Sequence, residues 1–162
     1  MRPTKDAEML RQKLIGVWDV ELERTMSDGN KVNGTGIFLA KETALGHAVF
    51  AEYALSIPGS EDYMEGELWW FDPVKKEVHV HCVTSREDAR TYTGRWTSEN
   101  TLQMEWEGEQ EGIEASSSFT FTWTSPNKIL ARVTGTHGGE KGPRSVITMT
   151  RKTEIEPVRS TV

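Results

Sequence analysis

The chain has 162 residues, 19 basic and 25 acidic, for a formal charge of −6, which is enough for one domain with a sizeable core and too short for two. An acidic balance without any basic run excludes binding to the phosphate backbone of nucleic acids, which needs clustered Lys and Arg. No apolar run approaches the roughly 18 residues of a membrane helix, and the polar opening Met1-Arg2-Pro3-Thr4-Lys5-Asp6 lacks the apolar centre of a signal peptide. The single cysteine, Cys82, rules out an internal disulfide and suits a reducing compartment. The expectation is a cytoplasmic protein with neither membrane nor nucleic acid as partner.

Residues 4–15 read as a short helix. Ala7, Leu10 and Leu14 share one stripe, Thr4 is placed to cap the start, and Asp6 and Glu8 suit the positive end of the helix dipole. Arg11 and Lys13 suit the other end, and Gly16 stops the helix. So short a helix is marginal alone, and closing one end of a larger structure is its expected role.

From Gly16 onward the period changes to two. Trp18, Val20 and Leu22 alternate with Asp19, Glu21 and Glu23, the mark of a half-buried strand. Ser27-Asp28-Gly29-Asn30 is a strong turn. Further turn clusters separate strands near 16–26, 31–40, 47–57, 63–72, 77–84, 89–97, 101–108, 113–124, 128–137 and 144–152. Ten strands joined by short turns predict an antiparallel up-and-down barrel, since closure removes the exposed edges. Gly34 and Gly36 share a face of the second strand, where missing side chains allow sharp coiling. The polar segment 153–162, carrying Pro157, reads as a flexible tail, so that 1–152 forms the single domain.

Alternation assigns an inner face. Met64, Leu68 and Trp70 share one parity, as do Val78, Val80 and Cys82, then Leu102, Met104 and Trp106. Later strands shift to odd numbers with Phe119, Phe121, Ile129 and Ala131. Candidate residues lining the interior are Trp18, Val20, Tyr53, Leu68, Trp70, Val80, Met104, Trp106, Phe119 and Phe121.

With Leu14-Ile15-Gly16-Val17-Trp18 after the helix, Phe71-Asp72-Pro73 ending a strand, and Met149-Thr150-Arg151-Lys152 closing the last one, the chain resembles the calycin group of lipocalin-like barrels. Its closer likeness is to a mainly bacterial family, the domain of unknown function 1579, over roughly residues 8–152. In lipocalins the opening Trp packs beneath an Arg from the far end of the barrel. The resemblance implies the same stacking for Trp18 and Arg151, a contact worth about 0.5–2 kcal/mol. Haem-binding nitrobindins share this shape and opening, but their Tyr-Pro-Thr-Ile-type segment is missing here. His137, beside the hairpin tip Gly138-Gly139, is poorly placed as an axial ligand. No cofactor is expected.

Three further clusters carry possible chemistry. His79 and His81, two apart on a strand, share a face. If the preceding hairpin turns around Pro73-Val74-Lys75, Glu67 and Trp69 join them, a set able to hold a transition metal or relay a proton. The plainer reading makes this the wet outer wall, with Val78, Val80 and Cys82 inside. Phe50, Trp69 and Phe71 then fall on outward positions and form an apolar patch for homodimerisation. Cys82 reads as a small buried hydrophobe. Glu105, Glu107, Glu109 and Glu111 read as a solvated strand face rather than a hydrolytic pair.

The leading functional expectation is non-catalytic binding of a small hydrophobic molecule inside the barrel. One alternative is an interaction protein whose barrel is solid and whose aromatic outer patch binds a partner. The other is an enzyme or metal site on the His79/His81/Glu67 face.

Overall fold

Thr4 Oγ1 accepts a hydrogen bond from the Ala7 N–H at 3.3 Å and opens α1 (Lys5–Leu14), whose buried stripe is Ala7, Leu10 and Leu14. The structure is a computed structural model and describes residues 2–152; the expected tail at 153–162 lies outside the described residues. After α1 the chain runs through β1 (Gly16–Thr25), β2 (Lys31–Thr43), β3 (Ala48–Ser56), β4 (Tyr63–Asp72) and β5 (Glu77–Thr84). It continues through β6 (Ala89–Ser98), β7 (Thr101–Gln110), β8 (Ile113–Ser125) and β9 (Lys128–His137). A two-residue β10 (Glu140–Lys141) precedes β11 (Arg144–Arg151).

Every strand from β1 to β9 pairs antiparallel with its sequence neighbours, β9 pairs with β11, and β11 returns to β1. The ten long strands therefore close into an antiparallel barrel, the all-β architecture that the alternation predicts. The inner layers follow the pairing register. Trp18 lies opposite Phe38, which lies opposite Tyr53, and Val20 lies opposite Met149, which faces Ile129.

The expected coiling at the Gly34 and Gly36 positions takes a specific form. A Cβ at Gly36 would stand 2.0 Å from the Ala54 carbonyl oxygen, so the neighbouring strand approaches as only glycine permits.

Two parity assignments need correction. Leu68 and Trp70, expected inside, point outward; Leu68 is 42% exposed, and Trp70 stacks on the outer-face His79 with ring centroids 5.1 Å apart. Trp69 and Phe71, expected outside, point inward; Trp69 is 3% exposed and Phe71 packs against the core. Only Phe50 of the expected patch faces outward, half-buried, with Lys41 Nζ 5.5 Å from its ring centre. The cause is one residue. The hairpin pairs Asp72 with Glu77, so its loop is Pro73-Val74-Lys75-Lys76 rather than three residues, with Lys76 at φ 57°. A loop longer by one residue moves every side chain of the strand to the other face.

α1 closes one end of the barrel. Trp18 is fully buried and its Nε1–H donates to the Leu14 carbonyl at 2.9 Å. The Arg151 guanidinium lies 4.3 Å from the Trp18 ring centre, as the resemblance implies. It donates to the carbonyls of Ile15, Gln12 and Lys13, groups that an α-helix leaves without internal partners. Trp123 Nε1–H donates to Lys13 as well.

Trp18→Ala is expected to lower stability by about 3–5 kcal/mol in urea unfolding. Arg151→Lys keeps the charge but loses the planar fork, and is expected to cost about 1–2 kcal/mol. An Arg151→Lys variant as stable as the parent would remove the helix-end account.

Candidate functional site

The bore opens at the end opposite α1 and holds a cavity of about 490 Å³. Of the ten residues expected to line it, Tyr53, Val80, Met104, Trp106, Phe119 and Phe121 do so. Trp18 and Val20 face inward but lie buried in the core without lining the cavity. Leu68 and Trp70 lie on the outer face.

Aromatic rings form much of the wall. Phe119 stacks on Phe121 at 5.6 Å, Tyr92 meets Phe119 edge-on at 5.2 Å, and Trp69 meets Phe121 edge-on at 5.8 Å. Trp69 and Phe121 belong to strands that are not neighbours, so their contact narrows the bore across its width.

The other wall, on β4, is acidic. Glu67 is 8% exposed and accepts a 2.5 Å hydrogen bond from Trp69 Nε1–H. Burial first, then the neighbouring Glu65 carboxylate and a hydrogen bond to it, hold the Glu67 carboxyl well above the usual carboxylate range; the Trp69 bond opposes this. Burial beside Glu65 thus favours the protonated form of the Glu67 carboxyl. Glu65 also accepts from Tyr63 O–H at 2.6 Å. Burial and Glu65 push the Tyr53 and Tyr63 hydroxyls upward too.

Cys82 lies opposite Glu67 across the β4–β5 ladder. Burial, then Glu65 and Glu67, raise its thiol to about 12. It is a buried thiol held as such, lining the cavity with Sγ 3.6 Å from the Arg90 carbonyl oxygen.

Three arginines, Arg24, Arg86 and Arg90, line the same cavity. Arg90 pairs with Asp88 at 2.5 Å and lies 5.1 Å from the Trp106 ring centre. Arg24 donates to Ser145 Oγ at 3.1 Å.

The expected set His79, His81 and Glu67 is not brought together. Glu67 pairs with Cys82 on the inner face, while His79 and His81 pair with Trp70 and Leu68 on the outer one. His79 is nonetheless only 7% exposed, enclosed beneath Trp70 with Glu77 Oε2 3.6 Å from Nε2. Among the described residues no group of three or more His, Cys, Asp and Glu side chains is placed to hold a metal ion. His137 is an exposed residue at the mouth, opposite Ala115. Among the described residues no helix is long and apolar enough to cross a membrane.

Glu65 and Tyr63 escaped the sequence reading, and Glu67 was placed with the wrong partners. A strand with two glutamates on one parity reads as wet on that side. The available signal was the hairpin loop length, which ties β4 to the unambiguous inner face of β5.

A pH dependence follows. The folded state keeps a proton on Glu67 that the unfolded chain releases at ordinary carboxylate pH. The stability from this group is complete below the unfolded pKa and is lost as pH rises through the raised folded pKa. Glu67→Gln keeps the shape and removes the titration. Its stability relative to the parent is expected to rise with pH, by about 1.4 kcal/mol per pH unit within that window. Melting curves of both proteins from about pH 4 to about pH 9 check this; a constant gap would place Glu67 outside the buried acid role.

No family model matches the chain, and no curated protein matches it in sequence. Among solved structures it is similar to the S-type phycobiliprotein lyase CPES from Guillardia theta, with a TM-score of 0.62 at 10% identity, covering 91% of this chain and 93% of that one. It is similar also to Rv2717c from M. tuberculosis, with a TM-score of 0.68 at 8% identity, covering 94% of this chain and 100% of that one. At these identities the likeness is one of fold, and the fold is the lipocalin-like, calycin-type barrel.

Proposed function

We propose that the protein binds a small, largely apolar molecule inside its barrel, without turning it over. The observation that carries this reading is the cavity of about 490 Å³, walled by aromatic rings and open at one end. A solid barrel, which the interaction-protein alternative requires, is at odds with that void. The site is apolar over most of its lining with a few convergent polar groups, the usual composition of a small-molecule pocket. A ligand that loses about 300 Å² of apolar surface there gains roughly 7 kcal/mol before ordering and association costs, which supports micromolar affinity. The Gly16-x-Trp18 opening and the Arg151 closure also support keeping the likeness to the domain of unknown function 1579 as part of this reading.

The test is titration with the neutral fluorescent probe N-phenyl-1-naphthylamine. One-to-one binding in the micromolar range is expected, with at least about tenfold loss in Val133→Trp, because Val133 lines the cavity on the inner face opposite Phe119. Absence of binding, or binding that ignores a folded Val133→Trp variant, contradicts the reading.

A further inference from the structure

We propose that the outer face of β2–β5 is an interface on which a second copy of this chain docks, face to face, to form a symmetric dimer. The proposal is independent of what the bore holds.

The pairing register lays out that face. Ile37 lies level with Ala54 and Met64, Leu39 with Glu52, Gly66 and Val83, and Lys41 with Phe50, Leu68 and His81. Ile37, Leu39, Met64, Leu68 and Val83 are each 40–53% exposed, with Phe50 and Ala54 of β3 half-buried between them. The outer face of β7 and β8 is of another kind, with Glu105 and Glu107 opposite Ser118 and Ser116. The apolar part of the β2–β5 panel exposes on the order of 600 Å², at the upper limit of a typical monomer's largest patch. Glu52, Lys41 and His81, all exposed, bring it to about 800 Å², the share that one partner contributes to a stable interface.

Gly66 sits at the centre of the panel. The other strand glycines at ordinary φ are explained by their own chain, because a Cβ at Gly34, Gly36, Gly94, Gly108 or Gly135 would stand 1.9–2.9 Å from a neighbouring atom. A Cβ at Gly66 would meet nothing within 4 Å. Glycine weakens the middle of a strand, and its use there marks a place where another backbone or a ligand comes close. Among the described residues nothing stands over Gly66, so that approach is made by another molecule.

The charges identify the molecule as the same chain. Copies carrying −6 repel one another in general. Within the panel, however, one carboxylate and one ammonium balance: Glu52 and Lys41 lie on neighbouring strands, one row apart. Among the described residues neither forms an ion pair, and Lys41 Nζ rests over the Phe50 ring. In a two-fold contact each surface meets its own replica, so a pair that forms once forms twice. Glu52 of each copy then meets Lys41 of the other, and neither charge is buried alone. An anionic lipid surface fits the face poorly, because the net charge opposes it.

Sedimentation velocity on the full chain tests this. A dimer is expected with a dissociation constant of about 10 μM or tighter, giving way to monomer on dilution. Leu68→Arg is expected to weaken it at least about tenfold with an unchanged circular dichroism spectrum. Gly66→Gln is expected to do the same, since the new side chain has room on one copy and none between two. If Leu68→Arg fails to fold, Gly66→Gln decides. Glu52→Lys and Lys41→Glu should each self-associate about tenfold more weakly than the parent, and the two mixed should form a heterodimer near parental strength. Protein that stays monomeric at about 100 μM overturns the proposal. So does a dimer that a folded Leu68→Arg or Gly66→Gln variant leaves intact, or a mixture of the charge variants that associates no better than either alone. Monomeric protein that sediments with phosphatidylcholine vesicles assigns the face to lipid and overturns the second copy.

Discussion

One guanidinium ties the molecule together. Arg151 ends the last strand, covers the first tryptophan of the first strand, and takes up carbonyls at the end of α1. Helix carbonyls at that terminus have no partner within the helix, and a buried carbonyl without a partner is costly. Arg151 meets that need from the strand that completes the barrel. Closure of the sheet and closure of its end are thus one event, with Trp18 buried beneath both.

This arrangement dictates where a ligand can go. With α1 packed over one end, access to the bore comes from the other end, and the polar inner residues are distributed accordingly. Arg24, Arg86, Arg90 and Asp88 line the cavity together with Tyr63, Glu65 and Glu67, and along β4 Tyr63 lies at the open end with Glu65 and then Glu67 further in. A buried acid is unfavourable unless bonded or neutral. Here Trp69 Nε1–H donates to it, and burial beside Glu65 favours its protonated form.

Most of the fold was readable from alternation and turn chemistry, because those patterns are the physical causes of the fold. Thr4, the period-two runs and the Asp28-Gly29 turn each state a local preference, and the structure obeys them. The Trp18–Arg151 contact was readable only through resemblance, since nothing in either residue's neighbours names the other. The misreading is confined to β4. Leu68-Trp69-Trp70-Phe71 is apolar at four successive positions and so has no parity of its own, and Glu65 and Glu67 point the eye outward. The true faces follow from Lys76 in the loop, a residue with no hydrophobic signal. Local rules failed where the chain carries a buried acid, which is where a functional constraint is expected to override them.

The most direct measurement is a crystal structure of the protein soaked with 1-bromonaphthalene, with the bromine located by anomalous scattering. The account predicts a peak within the bore, in contact with Phe119 and between the β4 and β8 walls. Bromine found only on the outer face beside Phe50 and Trp70, or a bore filled by side chains, would contradict it.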